Sequence, residues 1–334
     1  MADDIRAQLQ RHSLFTRTVR SFFQERGYLE VDTPTLSPFL IPEPSIEVFQ
    51  TAFHPGRGGE IPLWLIPSPE LWMKRLLAAG SGNIFQVSRS FRNGDFGGPH
   101  HNPEFRLLEC YTVNAGCLDS IPVVEDLFSR LLAALPPGPH PERLAPPFER
   151  LTMEEAFRRF ARIELARCTD ANAMREAGVG RGAAMPPEPT WEEAFHISFL
   201  TLVEPYLPRA HPLVLTDYPA LVPTTARRRA GTPWSERWEL YVDGVELANC
   251  YTEETDANAL AALIAEEETR KGSSRVTHRI DRAQAGLFPR GFPGCSGVAL
   301  GVDRTEMVFR GEKTLEGVIL FPLSAILPPQ SETG

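Results

Sequence analysis

Arg92, Glu104 and Glu109 are the first side chains that call for a chemical explanation. They lie in a segment that otherwise reads as strand. Phe85, Val87, Arg89 and Phe91 alternate with Gln86, Ser88, Ser90 and Arg92, and Phe105, Leu107, Glu109 and Tyr111 alternate with Arg106, Leu108 and Cys110. Period-two alternation on both sides of a Gly-, Pro-, Asn- and His-rich stretch predicts an antiparallel hairpin. Its loop, 93–104, is longer than a tight turn needs, and long loops in compact domains are often functional. Charges where apolar strands meet such a loop are either paired on a solvated surface or bind a ligand. A second set sits in VELANCYTEETD, where Glu246 and Glu253 offer the oxygen ligands that suit Mg²⁺. Strict alternation would put an even and an odd position on opposite faces. Both reach one site only if a bulge intervenes or the strand ends near Thr252. A third position is Arg304, predicted to open a helix just after Asp303 as N-cap. A guanidinium is unfavourable at a helix N-terminus, and a bound polyphosphate would resolve the conflict.

These groups need a scaffold, and the pattern supplies one. Ile5, Leu9, Phe15, Val19, Phe22 and Phe23 predict a helix over 3–26 closed by Gly27. An extended piece, Tyr28 to Val31, and Thr33-Pro34 follow. A strand from Leu63 to Ile66 leads into a helix with Ser68 as cap, Pro69 at its first position and an inward stripe of Leu71, Met73, Leu76 and Leu77. Helices are expected at 118–135, 153–161, 191–202 and 257–272. Asp243-Gly244 between the runs 238–242 and 245–251 is the signal for a hairpin with a type I′ turn. Gly297, Ala299 and Gly301 share one face of a strand, leaving room for a ligand against its backbone, while Met307 and Val308 face inward from the helix beyond. Residues 115–235 are broken by prolines and thin in apolar content, and read as an insertion within a single domain spanning 1–334. Arg227-Arg228-Arg229 reads as a solvated loop or a phosphate contact.

Composition narrows the function classes. The chain has 334 residues, 42% hydrophobic and 23% charged, enough for a well-buried core. A formal net charge of −9 argues against a whole-surface nucleic-acid binder. Five scattered cysteines, without a C-x-x-C pair, read as free thiols of a reducing, cytoplasmic protein. Neither a signal peptide nor an apolar run of membrane-spanning length is visible, and no Walker A or G-x-G-x-x-G loop is present.

FRNGDFGGPHHNPEFRLLECY resembles motif 2 of class II aminoacyl-tRNA synthetases, above all the lysyl subgroup, in which Phe-Arg-Asn, a short loop and His-Asn-Pro-Glu-Phe recur. GVALGVDRTEMVF resembles motif 3, and the long helix, short strand and Pro34 resemble motif 1. The resemblance implies an α+β domain, an antiparallel sheet flanked by helices, and a homodimer through motif 1. No OB-fold stretch precedes motif 1, so no anticodon-binding domain is expected and tRNA is disfavoured as a partner. Over 1–111 and 236–325 the chain is similar to the elongation factor P–lysine ligases, free-standing lysyl-type cores that form an aminoacyl-adenylate with ATP and transfer an (R)-β-lysyl group to a lysine of elongation factor P.

What the resemblance implies for individual residues is specific. Arg92 and Arg304, with Glu246, form the catalytic set. Arg92, Asn93, Gly94, Asp95, Asn102, Phe105, Glu246, Leu247, Gly301 and Arg304 bind ATP, with Phe105 stacked on adenine. Ser68, Glu70, Glu109, Tyr111, Asn249, Glu253 and Ala299 bind lysine or β-lysine, with Glu70 and Glu253 meeting ammonium groups, and Glu246 and Glu253 hold Mg²⁺. Two departures stand out. The family's FRNE is FRNGD here, which puts Gly94 where the adenine-side glutamate stands, with Asp95 as its substitute. ELANG is ELANC here, which adds the Cys250 side chain near the amine pocket. A tRNA-charging enzyme and a catalytically silent paralogue acting as a regulatory binding protein are the rival readings.

Overall fold

The computed structural model describes residues 2–41, 43, 45–94, 98–271, 275–282, 286 and 291–328. Asp95, the expected substitute on the adenine side, lies outside them.

Helix α1 (Ala2–Glu25) buries Phe15, Val19, Phe22 and Phe23. Ile5 and Leu9, part of the same apolar period, remain exposed. Gly27 ends the helix at φ +79°, in the left-handed region that glycine enters without strain. The chain then forms β1 (Leu29–Glu30), β2 (Leu36–Ser37), β3 (Gln50–Phe53), β4 (Ile61–Leu65), α2 (Glu70–Ala78), β5 (Ile84–Phe91) and β6 (Glu104–Val113). After α3 (Ser120–Ala134) come β7 (Glu149–Thr152), α4 (Met153–Ala156), α5 (Ala171–Val179), α6 (Trp191–Ser198), β8 (Leu213–Pro219), β9 (Trp234–Val242), β10 (Val245–Thr252), α7 (Ala257–Lys271), β11 (Cys295–Gly301) and α8 (Val302–Arg310).

Among the described residues eight strands make one sheet in the order β1-β5-β6-β11-β10-β9-β8-β7, while β2-β4-β3 form a small second sheet. In the large sheet only the outer pairs, β1 with β5 and β7 with β8, are parallel. Among the described residues no helix is long and apolar enough to cross a membrane.

Two features of the sheet set the site. Asp243 and Gly244 both take positive φ, +51° and +80°, as a type I′ turn requires. Then the β9–β10 register slips by one residue between Glu246 and Ala248, leaving Leu247 as a bulge. The bulge and the strand's end at Thr252 are the two devices the sequence demanded for Glu246 and Glu253. Past the bulge, neighbouring strands align Gln86, Glu109, Ala299, Asn249 and Glu239 in one row across the sheet. The adjacent row on the opposite face is Phe85, Cys110, Val298, Cys250 and Trp238, all buried in the main core with α1 and α3. Cys250 therefore points into that core, near the Cys117 carbonyl, and not toward the amine pocket as ELANC suggested.

Residues 115–235 are richer in apolar packing than their prolines imply. Met153, Phe157, Phe195, Phe199 and Val203 are buried against Leu213, Leu215 and Tyr241 of β8 and β9. Trp191, Phe195 and Phe157 stack on one another. Single turns of π-helix at Phe157–Ala161 and Phe199–Val203 interrupt the 3.6-residue period. The apolar residues consequently do not fall on one helical stripe. Arg227 and Arg229 pair with Glu236 and Asp217, the solvated-loop alternative.

Candidate active site

A cavity of about 300 Å³ opens over the Ala299 face of the sheet, between the β5–β6 loop and the start of α8. Its wall contains Arg92, Asn102, Phe105, Glu246, Leu247, Asn249, Ala299, Gly301 and Arg304. Segments far apart in sequence thus deliver nine of the anticipated residues to one place. The Arg92 guanidinium lies 5.3 Å from the centre of the Phe105 ring, and its Nε is buried with no hydrogen-bond partner among the described residues. An unsatisfied buried N–H on a cation is a costly feature unless an anion is to be received there. Arg304 donates from Nε to the His100 carbonyl and from one terminal nitrogen to the Glu246 carbonyl, both at 3.0 Å. Those bonds draw the guanidinium off the axis of α8 and across the cavity mouth. They also settle the electrostatic conflict that its place in the first turn posed.

Asp303 does not cap α8. Gly301 holds the N-cap position, and the Asp303 carboxylate accepts from the Arg106 backbone N–H and Nε, each at 2.7 Å. Arg106 also reaches Glu306 at 3.0 Å and His12 at 2.9 Å, tying motif 2, α8 and α1 together. The sequence reading passed over Arg106. It was named only as one of the alternating positions of the strand, in phase with Leu108 and Cys110.

Two residues expected at the nucleotide fall elsewhere. Asn93 bonds the Val48 carbonyl and Gly94 holds φ +91°; neither is in the cavity wall. Glu104 pairs with Arg89 on the surface at 2.7 Å, an interaction worth about 0–1 kcal/mol. Asn102 is in the wall, but its amide is spent on the Glu104 carbonyl and the Leu323 N–H, so it shapes the loop.

The expected amine-binding residues form a second, buried cluster beyond Ala299. Glu109 lies 2.7 Å from Ser68 Oγ and 2.6 Å from the Tyr111 hydroxyl, both of which donate to it. Ser68 Oγ also accepts the Glu70 N–H at 3.1 Å, one residue earlier than a cap, since Pro69 itself is the N-cap of α2. Burial first, then the Glu70 charge, push Glu109 up to about 8.

That shift makes a stability prediction. A carboxyl whose pKa is raised in the folded state contributes stability below its ordinary value of 4.5, lost as pH rises through about 8. Across that window the melting temperature of the wild type is expected to fall relative to Glu109→Gln. Parallel thermal melts check it, and curves that stay parallel refute it.

Glu70 and Glu253 both contact the ammonium of Lys74, which is 1% exposed; the Glu253 oxygen is at 2.7 Å. Glu253, expected to share a metal with Glu246, meets Lys74 in this structure. The carboxylate acting on Glu246 is Glu239. Burial, followed by Glu239, raises Glu246 to about 7. Glu239 in turn accepts from Tyr218, Tyr241 and Arg237. Glu246, which lines the cavity, is an oxygen donor of the kind that suits a divalent cation shared with phosphate oxygens, whereas Glu239 is occupied by its three donors. Among the described residues no group of three or more His, Cys, Asp or Glu side chains could hold a metal alone. Lys74 and Glu239 were missed in the sequence. The signal for Lys74 was its position three residues from both Leu71 and Leu77, inside the buried stripe of α2.

The sequence profile described as tRNA synthetases class II (D, K and N) matches residues 1–325, and this chain belongs to that family. Its fold, a largely antiparallel sheet with flanking helices, is the α+β arrangement expected. Among curated proteins it is similar to the elongation factor P–(R)-β-lysine ligase of Yersinia enterocolitica, with 35% identity over 327 residues covering 95% of each chain. It is also similar to the proteins of that name from Salmonella heidelberg and Salmonella typhimurium, each 35% identical over 309 residues and 91% of both chains.

Proposed function

We propose that this protein activates a lysine-type amino acid, (R)-β-lysine, as its adenylate and transfers it to a lysine of elongation factor P. The observation that carries the reading is the single row of residues across the sheet. Asn249 and Ala299 line the cavity that suits ATP, and Glu109, next in the row, belongs to the carboxylate cluster that suits an ammonium. An amino acid laid along that row has its carboxylate toward Arg92 and an amine toward Glu70 and Glu253. Its carboxylate oxygen attacks the α-phosphorus of ATP in line, and pyrophosphate leaves. The acceptor amine then attacks the acyl carbon, loses a proton, and displaces AMP to leave an amide. No side-chain nucleophile is required; positioning and charge neutralisation supply the rate.

Arg92 neutralises the α-phosphate, Phe105 stacks on adenine, and Arg304 covers the nucleotide from the other side. Glu246, which lines the cavity, and Glu253 would hold Mg²⁺, which supplies charge neutralisation to the phosphates. Ser68, Glu109, Tyr111 and Asn249 orient the amino acid.

Amino-acid-dependent ATP–pyrophosphate exchange across a lysine, β-lysine and amino-acid panel tests the first half. Offering elongation factor P and tRNA as acceptors tests the second. Exchange with β-lysine and modification of elongation factor P are expected. Charging of tRNA instead, or no exchange with any amino acid, would select one of the rival readings.

We further propose a cytoplasmic homodimer formed through residues 15–40. Leu29 and Leu36, 60% and 45% exposed in the single chain, support it. Sedimentation at micromolar concentration should give twice the monomer mass, and a monomer there refutes the interface.

A further inference from the structure

Arg106 stands in the cavity wall, yet its hydrogen-bonding capacity is fully spent on the protein. A guanidinium carries five N–H donors and no acceptor. Nε donates to Asp303 at 2.7 Å, and one terminal nitrogen lies 2.6 Å from Asp303 and 3.0 Å from Glu306. The other terminal nitrogen donates to His12 Nε2 at 2.9 Å and to Thr16 Oγ1 at 3.4 Å. Arg92, in the same wall, is the opposite case, since its Nε is buried with no hydrogen-bond partner among the described residues. Arg92 is left ready for a ligand, and Arg106 holds protein to protein. What it holds follows from the end of a strand. The β6–β11 ladder stops at Leu107 opposite Gly301, where β11 gives way to α8. Beyond that point the Asp303 carboxylate stands in for the missing strand, accepting the Arg106 backbone N–H at 2.7 Å as well as its side chain. Phe105 is the chain neighbour of Arg106, and Arg304 is the chain neighbour of Asp303. One joint therefore sets both groups at the cavity.

We propose that Arg106 is a positioning residue for the nucleotide, and that His12 makes α1 part of its mount, so that together they set the spacing between Phe105 and Arg304. The inference rests on the proposed activation, in which those two groups flank ATP, and adds two residues that were not expected at the site. His12 bridges the joint from α1 with both ring nitrogens. Because the guanidinium only donates, Nε2 accepts from Arg106, and Nδ1 carries the ring's proton and donates to Glu306 at 3.0 Å. Charge agrees with that assignment. Asp303 and Glu306 are matched by Arg106 and Arg310, so the ring adds a donor and an acceptor to a network that needs no further charge. A lysine at position 106 would keep the charge balance but not the fork, which is what reaches α1 and α8 at once.

The test is calorimetric titration with ATP, giving Kd, beside KM for ATP and for β-lysine in the exchange assay, for wild type, Arg106→Lys, His12→Phe and Thr18→Val. Thr18 is the control: its hydroxyl bonds only the Leu14 carbonyl within α1, so its loss loosens the helix without touching the joint. In Arg106→Lys kcat/KM for ATP should fall by about 100-fold, the scale of a catalytic group misplaced by one ångström. In His12→Phe it should fall by about tenfold, the scale of one lost hydrogen bond to a charged group. Kd and KM for ATP should rise in both, with KM for β-lysine unchanged. Thr18→Val should lower the melting temperature and leave Kd for ATP alone. A wild-type Kd for ATP in either Arg106→Lys or His12→Phe overturns the proposal, as does an equal rise in Thr18→Val, because a role in stability alone would not single out the nucleotide. Wild-type protein that binds ATP but exchanges with no amino acid rejects the proposed activation, while the Kd values still decide the role of Arg106. Wild-type protein that binds no ATP rejects both.

Discussion

Arg92→Ala and Arg304→Ala each lower amino-acid-dependent ATP–pyrophosphate exchange by about 100–1,000-fold, the usual cost of deleting one preorganised charge contact to a transition state. The protein remains folded in both cases. Neither guanidinium holds the core together. The Arg92 guanidinium lies against the Phe105 ring and has a buried Nε with no hydrogen-bond partner among the described residues. Arg304 bonds two backbone carbonyls at the cavity mouth. Removing Arg92, whose buried Nε is unpartnered among the described residues, costs little in the ground state, and Arg304 gives up two bonds at the cavity mouth and not in the core, so the main loss should fall on the rate. Circular dichroism and thermal melts establish the fold, and the exchange assay reads the effect. Near-normal exchange in both folded variants would rule out the site. Asp303 provides a contrast: it is committed to Arg106, so its removal should cost stability as well as rate.

Ala299→Gly should move substrate preference from β-lysine toward α-lysine by roughly 10–200-fold in relative kcat/KM, the range that one methyl or methylene group controls in a pocket. Ala299 stands between Asn249 and Glu109 in the row that crosses the sheet, where the nucleotide cavity meets the carboxylate cluster. A β-amino acid sets its amine one carbon further from the carboxylate than an α-amino acid does. The methyl fills space that the α-arrangement needs, and glycine returns it. The effect is a preference and not an exclusion, so α-lysine remains a poor substrate of the wild type. Cys250 does not narrow this pocket, because its thiol lies in the core on the opposite face. Competition kinetics with the two isomers provide the measurement. A wild type that favours α-lysine, or a glycine variant that does not shift toward it, would contradict the role of the methyl.

Local signals were legible in the sequence wherever one period or one turn decided the structure. The β5–β6 hairpin, the Asp243-Gly244 turn and the stripe of α2 each follow from side chains a few residues apart. The conditional argument about Glu246 and Glu253 was also sound, since parity alone demanded a bulge or a strand end. What could not be read were partnerships across the sheet. Nothing near Glu253 in the sequence marks Lys74, and nothing near Glu246 marks Glu239 as its electrostatic neighbour, because the packing of α2 on the sheet sets the first and the β9–β10 register the second. Asp303 looked like a cap since its sequence neighbours suited one; Arg106, from another strand, claimed it. The aromatic cluster of residues 153–203 was hidden for a different reason. Its π-helical turns shift the stripe, so no single period gathers Phe157, Phe195 and Phe199.

The bulge at Leu247 makes this hairpin sensitive to a change in chain length. Downstream of it, Asn249, Tyr251 and Glu253 are counted off in twos from a fixed starting point. Loss or gain of one residue between the bulge and Thr252 would turn that whole segment over, burying carboxylate and amide in the core while Cys250 turned toward the ligand. A two-residue change would keep the facing and displace each group by one pleat, about 6.6–6.8 Å. Among variants of this chain that retain activity, insertions and deletions should accordingly collect in surface loops such as the connection between α5 and α6, and be missing from 246–253.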